Sequence, residues 1–283
     1  MDLNTVAEVV SPAEVGQWRP GDAWLGGGTV LFAEARPHVT RLLDLVGAGW
    51  PALTVRDGGL EIAATCTIAE IAATGYDLVE RCCRAFLASF KIWNVATVGG
   101  NLCAALPAGP MISLGAALDG TCLVAGPGGS REVAVRDFVT GEGTTVLGEG
   151  ELLRSMWLPA AALRDPAAFR RGSLHPHGRS GVLVIGRRTG AGELVITVTA
   201  ATKKPYVLRF PAPPDAEVVQ IAVSERIPPD AYVRDVHGSP AWRRHLTRLY
   251  AEQVRAELVR AEPAGPAGPE LVRPEPAGPE PVA

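Results

Sequence analysis

The sequence predicts an α/β part over residues 1–165 followed by an α+β lobe over 166–261. Three observations predict it. In the first half, short apolar runs alternate with segments of helical spacing. Beyond residue 165, apolar runs succeed one another around turn signals, as antiparallel strands do. Residues 239–259 then close the pattern as a long amphipathic helix, with Leu246, Leu249, Tyr250 and Val254 near helical spacing.

Taken in order, residues 23–25 read as a buried strand end, and residues 30–35 as a helix stopped by Pro37. Residues 41–46 and 60–65 read as strands, the second opened by the turn Asp57-Gly58-Gly59. Thr67 and Glu70 have the spacing of a capping box, which predicts a helix over 67–74. Residues 77–90 have helical spacing, so the first part reads as βαβ-like. Residues 114–125 lead into a hairpin at 126–130, and 131–135 return from it. Residues 151–158 make a further strand. In the lobe, 182–185 and 194–199 bracket a turn at 189–192, and 207–210 and 218–223 add strands. Residues 262–283 repeat EPAGP, a composition that forms no core and predicts an extended tail, either passive and solubilising or a docking peptide.

Composition narrows the function classes. The chain has 283 residues, 47% hydrophobic and 20% charged, enough to bury a core. A net charge of -3 and a pI near 6.0 argue against nucleic acid as the main partner. Arg outnumbers Lys, which appears only at Lys91, Lys203 and Lys204. Cys66, Cys82, Cys83, Cys103 and Cys122 show no C-x-x-C spacing, so neither an iron–sulfur cluster nor a zinc knuckle has its ligands here. No segment approaches the roughly 20 apolar residues of a membrane span. The first residues lack the basic-then-apolar order of a secretory signal, so a cytoplasmic chain is expected.

Two glycine-rich bends carry the chemistry. The first is Leu25-Gly26-Gly27-Gly28-Thr29-Val30-Leu31, which follows a strand. Glycines let backbone approach a ligand closely, and successive N–H groups at such a bend form an anion-binding concavity. No Lys follows the glycines, so it is not a P-loop, nor does it read G-x-G-x-x-G. By itself the bend fits a structural turn as well as a phosphate cradle. The second, residues 94–102, presents Thr97, Gly99, Gly100 and Asn101. Two such bends about seventy residues apart suggest a diphosphate held from both sides, a dinucleotide site without the Rossmann motif.

This pair of bends resembles the signature of the FAD-binding medium subunits of molybdenum hydroxylases, the xanthine dehydrogenase and carbon monoxide dehydrogenase family. The segments LGGGTVL, RLLDL, DGGLEIA, NVATVGGNLC, VAGPGGSREVAVRDF and GELLRSMWLP follow the family's order, and PYVLRFP and GSPAWRRHLTRL resemble its C-terminal lobe. The resemblance covers about residues 10 to 260. It implies a vanillyl-alcohol-oxidase, or PCMH-type, FAD-binding fold of two α/β subdomains over 1–165. A lobe like that of the carbon monoxide dehydrogenase flavoprotein would follow over 166–261. It further implies that Gly26 to Leu31 wrap the FAD diphosphate with Thr29 adding a hydroxyl. Thr97, Gly99, Gly100 and Asn101 would grip it opposite, Leu152 would pack near the adenine, and Arg171 would lie toward the flavin ring or on the surface.

The function so implied is an oxidoreductase flavoprotein passing electrons through FAD to a terminal acceptor. Its partners would be a molybdopterin-containing large subunit and a 2Fe–2S small subunit. A stand-alone flavin enzyme for a small substrate, or an interaction subunit without flavin, are the alternatives. Departures motivate the last. Leu106 stands where the family carries Ser and Pro110 where it carries an Asp that bonds cofactor hydroxyls. Trp93 replaces an Arg, Val30 a polar residue, and Lys203-Lys204 a polar-Arg pair. A lost hydrogen bond costs about 1–3 kcal/mol. No catalytic acid, base or metal ligand is assigned. His175-Pro176-His177 reads as a solvated loop rather than a metal site, and Arg243, Arg244, His245 and Arg248 as a solvated helix face or a partner-docking one.

Overall fold

The structure is a computed structural model that describes residues 4–11 and 18–260. The tail anticipated at 262–283 lies outside the described residues. Strands β1 (Glu8–Val10), β2 (Asp22–Leu25) and β3 (Arg41–Asp44) form a parallel sheet in the order β1-β3-β2. Parallel neighbours cannot be joined by a tight hairpin and need a crossover of about a dozen residues. Between β2 and β3 that crossover is residues 26–40, and the first glycine bend opens it, at the carboxyl end of β2. Asp22 and Arg41 face each other in register. Arg41 Nε and Nη2 donate to the Asp22 carboxylate at 2.7 and 2.6 Å, which holds that carboxyl below the usual range.

The second unit begins with β4 (Leu53–Arg56) and β5 (Gly59–Ala63). Helices α1 (Ile68–Ala72), α2 (Asp77–Ala85), α3 (Phe90–Trp93), α4 (Val98–Cys103) and α5 (Pro110–Ala117) follow. Then come β6 (Thr121–Gly126), β7 (Gly129–Ala134), α6 (Val135–Phe138), the short ribbon β8 (Val139–Gly141) and β9 (Thr144–Thr145), β10 (Leu152–Leu158) and α7 (Ala160–Arg164). Its sheet is antiparallel throughout, ordered β4-β5-β10-β6-β7. The βαβ character expected of the whole first part is reduced to parallel pairing in the first sheet, where the β2–β3 crossover holds turns and no helix. The Thr67–Glu70 capping box forms as its spacing predicts, with the Glu70 amide donating to Thr67 Oγ1 and the Thr67 amide to Glu70.

The last unit is an antiparallel meander of β11 (Ala167–Gly172), β12 (Val182–Arg188), β13 (Leu194–Thr199) and β14 (Tyr206–Phe210), covered by α8 (Ala216–Arg226) and α9 (Pro240–Arg260). Along β12 the side chains alternate between two cores: Leu183 and Ile185 join the core of the second unit, and Val182 and Val184 pack with Val254 and Leu258 of α9. Every residue of α5 is buried, as a helix apolar all round must be. It packs between α2 on one side and β12 and β13 on the other.

Four sequence expectations are corrected. Residues 218–223 lie within α8. A short run of apolar residues does not distinguish strand from helix, and here Val219 and Val223, four apart, bury one face while Val218 and Ile221 stay exposed. Residues 30–35 form no helix; turns cover 29–33, closed by bonds from the Phe32 amide to Gly28 O and the Ala33 amide to Val30 O. The helical segment 77–90 breaks where Phe86 leaves helical conformation (φ −79°, ψ 85°), separating α2 from α3. Residues 110–117, read only in part as a run toward the hairpin, are α5. No helix among the described residues is long and apolar enough to cross a membrane.

A buried arginine ties the lobe to the rest. Arg187 on β12 donates to Ala117 O at 2.9 Å, to Asp165 at 2.5 Å and to Asp119. Arg209, about a third exposed, also reaches Asp119 and pairs with Glu193. Removing one partner of a buried ion pair costs about 3–5 kcal/mol, whereas an exposed pair is worth about 0–1. In denaturant unfolding, Arg187→Ala is therefore expected to lose several kcal/mol and Arg209→Ala at most about one. Equal losses would refute the hierarchy. The Asp22–Arg41 pair has a pH signature. A depressed carboxyl contributes stability that is complete above the ordinary carboxylate range and is lost as pH falls through the depressed value. The melting-temperature advantage of wild type over Asp22→Asn should persist near neutrality and vanish in strong acid.

Candidate functional site

The two glycine bends meet. A Cβ on Gly27 would lie 1.8 Å from the carbonyl oxygen of Val95, and one on Gly26 would lie 3.1 Å from Thr97 Oγ1. Backbone thus packs directly on backbone, and no side chain fits at Gly27. Gly28 adopts φ 69°, a left-handed conformation, and its Cβ would strike the ring of Phe32 at 2.5 Å. In the first bend the carbonyls of Gly28 and Val30 accept hydrogen bonds, from the Phe32 and Ala33 amides, but its own amides are idle. The amides of Gly27, Gly28, Thr29, Val30 and Leu31 donate to no acceptor among the described residues. Five successive N–H groups are thus left without protein acceptors among the described residues.

The second bend is built differently. Thr97 is the N-cap of α4, and its hydroxyl accepts from the Gly100 amide at 3.0 Å. The Val98 amide donates to Cys66 O, the Gly99 amide to Ala64 O and the Asn101 amide to Thr97 O, at 2.8 to 2.9 Å. Gly99 is glycine because Ala64 lies beneath it; a Cβ would come within 2.5 Å of the Ala64 methyl. Asn101 Oδ1 accepts from the Met111 amide at 3.0 Å and so pins the start of α5. The two-sided clasp of amides expected from sequence is therefore one-sided. The first bend offers backbone N–H groups. The second offers a closely packed wall, with the Thr97 hydroxyl proton and the Asn101 side-chain amide left to donate.

Between the bends lies a cleft of about 290 Å³. Gly26, Gly27, Gly28, Thr29, Val30 and Leu31 line one side, and Thr97, Gly100 and Asn101 the other. Leu25 ends β2 behind the bend, and Gly99 is packed under the wall. Leu152 does not line the cleft; it starts β10 beside Glu151, whose carbonyl oxygen accepts from the indole of Trp24, a lining residue. The Glu151 carboxyl, gripped by Arg131 and the Gly148 amide, is held down to about 2. Arg171 is also outside the cleft. Its Nε donates to Ser180 Oγ at 2.8 Å and its Nη2 to Gly178 O, and burial pulls its pKa down.

Sequence reasoning passed over three residues that line the cleft: Trp24, Phe86 and Arg36. Phe86 also borders a wider hollow of about 730 Å³ that includes Trp93 and His177. No motif marks them; each reaches the cleft through the fold. Of the departures from the family pattern, Leu106 lines the cleft as an exposed apolar residue, 39% accessible. Pro110 is buried at the first position of α5, where a missing N–H is harmless. Trp93 donates its indole N–H to Phe86 O at 3.1 Å, which fastens α3 to the end of α2.

The contact between the bends is testable without a ligand. Overpacking of this kind costs about 1–3 kcal/mol. Gly27→Ala is thus expected to lower the melting temperature of the ligand-free chain. Gly128→Ala, at a position with no neighbour within 4 Å, is expected to leave it unchanged. A Gly27→Ala variant as stable as wild type would show that the bends do not pack this way. A Cβ on Gly27 points at Val95, so the damage from a side chain there would come from forcing the bends apart.

Comparison with known proteins gives the family and the fold. Residues 4–161 match the model of the FAD binding domain in molybdopterin dehydrogenase. Xanthine dehydrogenase 1 of Arabidopsis thaliana is 29% identical over 122 residues, which cover 38% of this chain and 9% of the plant protein. The chain thus spans under a tenth of the curated relatives it matches. A chain of quinoline 2-oxidoreductase from Pseudomonas putida 86 superposes with a TM-score of 0.72 at 20% identity, covering 91% of this chain and 98% of that one. A chain of carbon monoxide dehydrogenase from Hydrogenophaga pseudoflava superposes with a TM-score of 0.70 at 19% identity, covering 88% and 96%. These likenesses bear out the PCMH-type FAD-binding fold implied by the resemblance. Since the family model spans more than half of the chain, this protein belongs to the FAD-binding domain family of the molybdopterin dehydrogenases, and its cofactor is FAD.

Proposed function

We propose that the cleft between the bends holds the FAD diphosphate, and that the chain is the flavoprotein component of a molybdenum hydroxylase-type dehydrogenase. The observation that carries this reading is the run of amides from Gly27 to Leu31, which lack protein acceptors and border the cleft. Those amides would donate to phosphate oxygens. The hydroxyls of Thr29 and Thr97 would add donors from either side, and the side-chain amide of Asn101 a third. Gly27 and Gly100 let backbone come close, and the contact of Gly27 with Val95 sets the spacing of the two bends. At about 290 Å³ the cleft is at the small end for a cofactor site. The rest of the dinucleotide would extend beyond it, and the adjoining hollow past Phe86 has the room.

FAD, when bound, accepts an electron pair and can release electrons singly, which is the chemistry a relay needs. The chain's own residues bind, orient and shield; no general acid or base is required of them. The partners in this reading are a molybdopterin-containing large subunit and a 2Fe–2S small subunit, which would deliver electrons for a terminal acceptor.

Leu106 and Pro110 favour a second reading, a family member whose hold on flavin has weakened. One experiment decides between the two. The full chain is purified, its visible spectrum is taken before and after denaturation, and any released flavin is identified by chromatography. The proposal expects FAD, bound as isolated or taken up one per chain on reconstitution. A colourless chain that takes up no FAD at any concentration refutes it.

A further inference from the structure

We infer that Arg36 is an additional anchor for the cofactor's diphosphate, a charged counterpart to the backbone amides; this deepens the flavin reading and rests on it. Arg36 sits near the end of the β2–β3 crossover and lines the cleft. Its Nε is sealed from solvent and has no hydrogen-bond acceptor within the protein. Among the residues lining the cleft it alone carries a formal charge, so no carboxylate is there to pair with it. Arg36 as a whole is half-buried; the buried arginines Arg187 and Arg243 are fully engaged, Arg187 with two aspartates and a carbonyl, Arg243 with Asp235 and three carbonyls. Arg36 departs from that pattern.

A guanidinium N–H shut away from water and left without an acceptor is unfavourable, and folded proteins rarely leave one so. The cost is offset when a ligand supplies the acceptor. The acceptor must be anionic, because the five idle amides of Gly27 to Leu31 border the same cleft and also call for negative charge. A planar guanidinium matches the paired oxygens of a phosphate. Pro37 restricts the backbone of Arg36 to extended conformations, so the side chain starts from a limited set of directions. The one-sided supply of amides makes the charge useful: with the second bend's N–H groups spent internally, a diphosphate carrying negative charge would otherwise meet only neutral donors. The ligand class is a nucleoside diphosphate or a dinucleotide with a diphosphate bridge. A flavin without phosphates would not engage Arg36.

The test measures binding by calorimetry for wild type, Arg36→Ala and Arg36→Lys, with FAD, ADP and riboflavin as separate probes at low and moderate salt. Arg36→Ala is expected to weaken FAD and ADP about tenfold or more and to flatten the salt dependence of both. Riboflavin binding should stay the same in all three proteins. Arg36→Lys should recover part of the loss, since charge is restored without the paired N–H groups. The melting temperature of ligand-free Arg36→Ala should equal or exceed that of wild type, because a sealed N–H without an acceptor is removed; a purely structural role would lower it. If wild type binds FAD while Arg36→Ala keeps its ADP affinity within twofold, the Arg36 assignment is overturned and the flavin reading stands. If wild type binds neither FAD nor ADP, both are overturned.

Discussion

The site depends on one close approach, the backbone of Gly27 lying against the carbonyl of Val95. Contact at that range excludes any side chain, so it selects glycine by steric exclusion rather than by flexibility. The consequence reaches beyond the position itself. With Gly27 seated, Gly26 is placed beside Thr97, and Thr97 caps α4. The α4 segment in turn holds the start of α5 through Asn101. A parallel sheet and an antiparallel unit, whose strands share no ladder, are thereby joined at the cleft by backbone packing.

How far this was legible in the sequence differs from part to part. Both bends were visible, because clusters of glycine and small residues are local signals, and the capping box at Thr67 likewise needs only four residues. The failures share a cause. The strand expected at 218–223 is helix because the deciding fact, α9 lying against Val219 and Val223, is tertiary. The helix expected at 30–35 is a turn because the crossover must bring the chain back from the bend to β3 within a few residues. Inside the site, residue identity was legible and direction was not. Thr97, Gly99 and Asn101 were recognised as components of the bend. No sequence pattern tells that a threonine hydroxyl caps its own helix, that a glycine sits over Ala64, or that an asparagine serves the next helix. Arg36 was overlooked because its meaning lies in what surrounds it: a sealed Nε and the absence of any carboxylate in the cleft lining.

The attachment of the C-terminal lobe follows a different logic. Its sheet shares the first core through Leu183 and Ile185, so apolar packing places it, while Arg187 fixes its register with a hub of directed bonds to Ala117 O, Asp119 and Asp165. A buried ion network of this kind is weak evidence for net stability and better evidence for specificity, because sliding the sheet by one residue would strand a charge. The same segment, α5 and the turn after it, contacts the cleft wall at one end through Asn101 and Met111 and the lobe at the other through Ala117 and Asp119. It is the element through which strain at one would be felt at the other.

The departures at Leu106 and Pro110 look different once the geometry is known. A proline at the first turn of α5 costs the helix nothing, and the Asn101–Met111 bond holds that end of the helix without help from a carboxylate. Pro110 is buried and does not line the cleft, so the negative charge the family carries at this position is missing from the chain without leaving a gap in the lining. On the proposed reading, a chain that dispenses with that charge, presents Leu106 as an apolar rim and keeps Arg36 without a carboxylate partner would have moved its electrostatic balance toward the diphosphate. Losing donors and acceptors for the sugar would weaken one end of the ligand, whereas Arg36 would strengthen the middle. The substitutions are thus consistent with a redistribution of binding energy within the same cleft, in which recognition shifts from the hydroxyls of the cofactor to its phosphates.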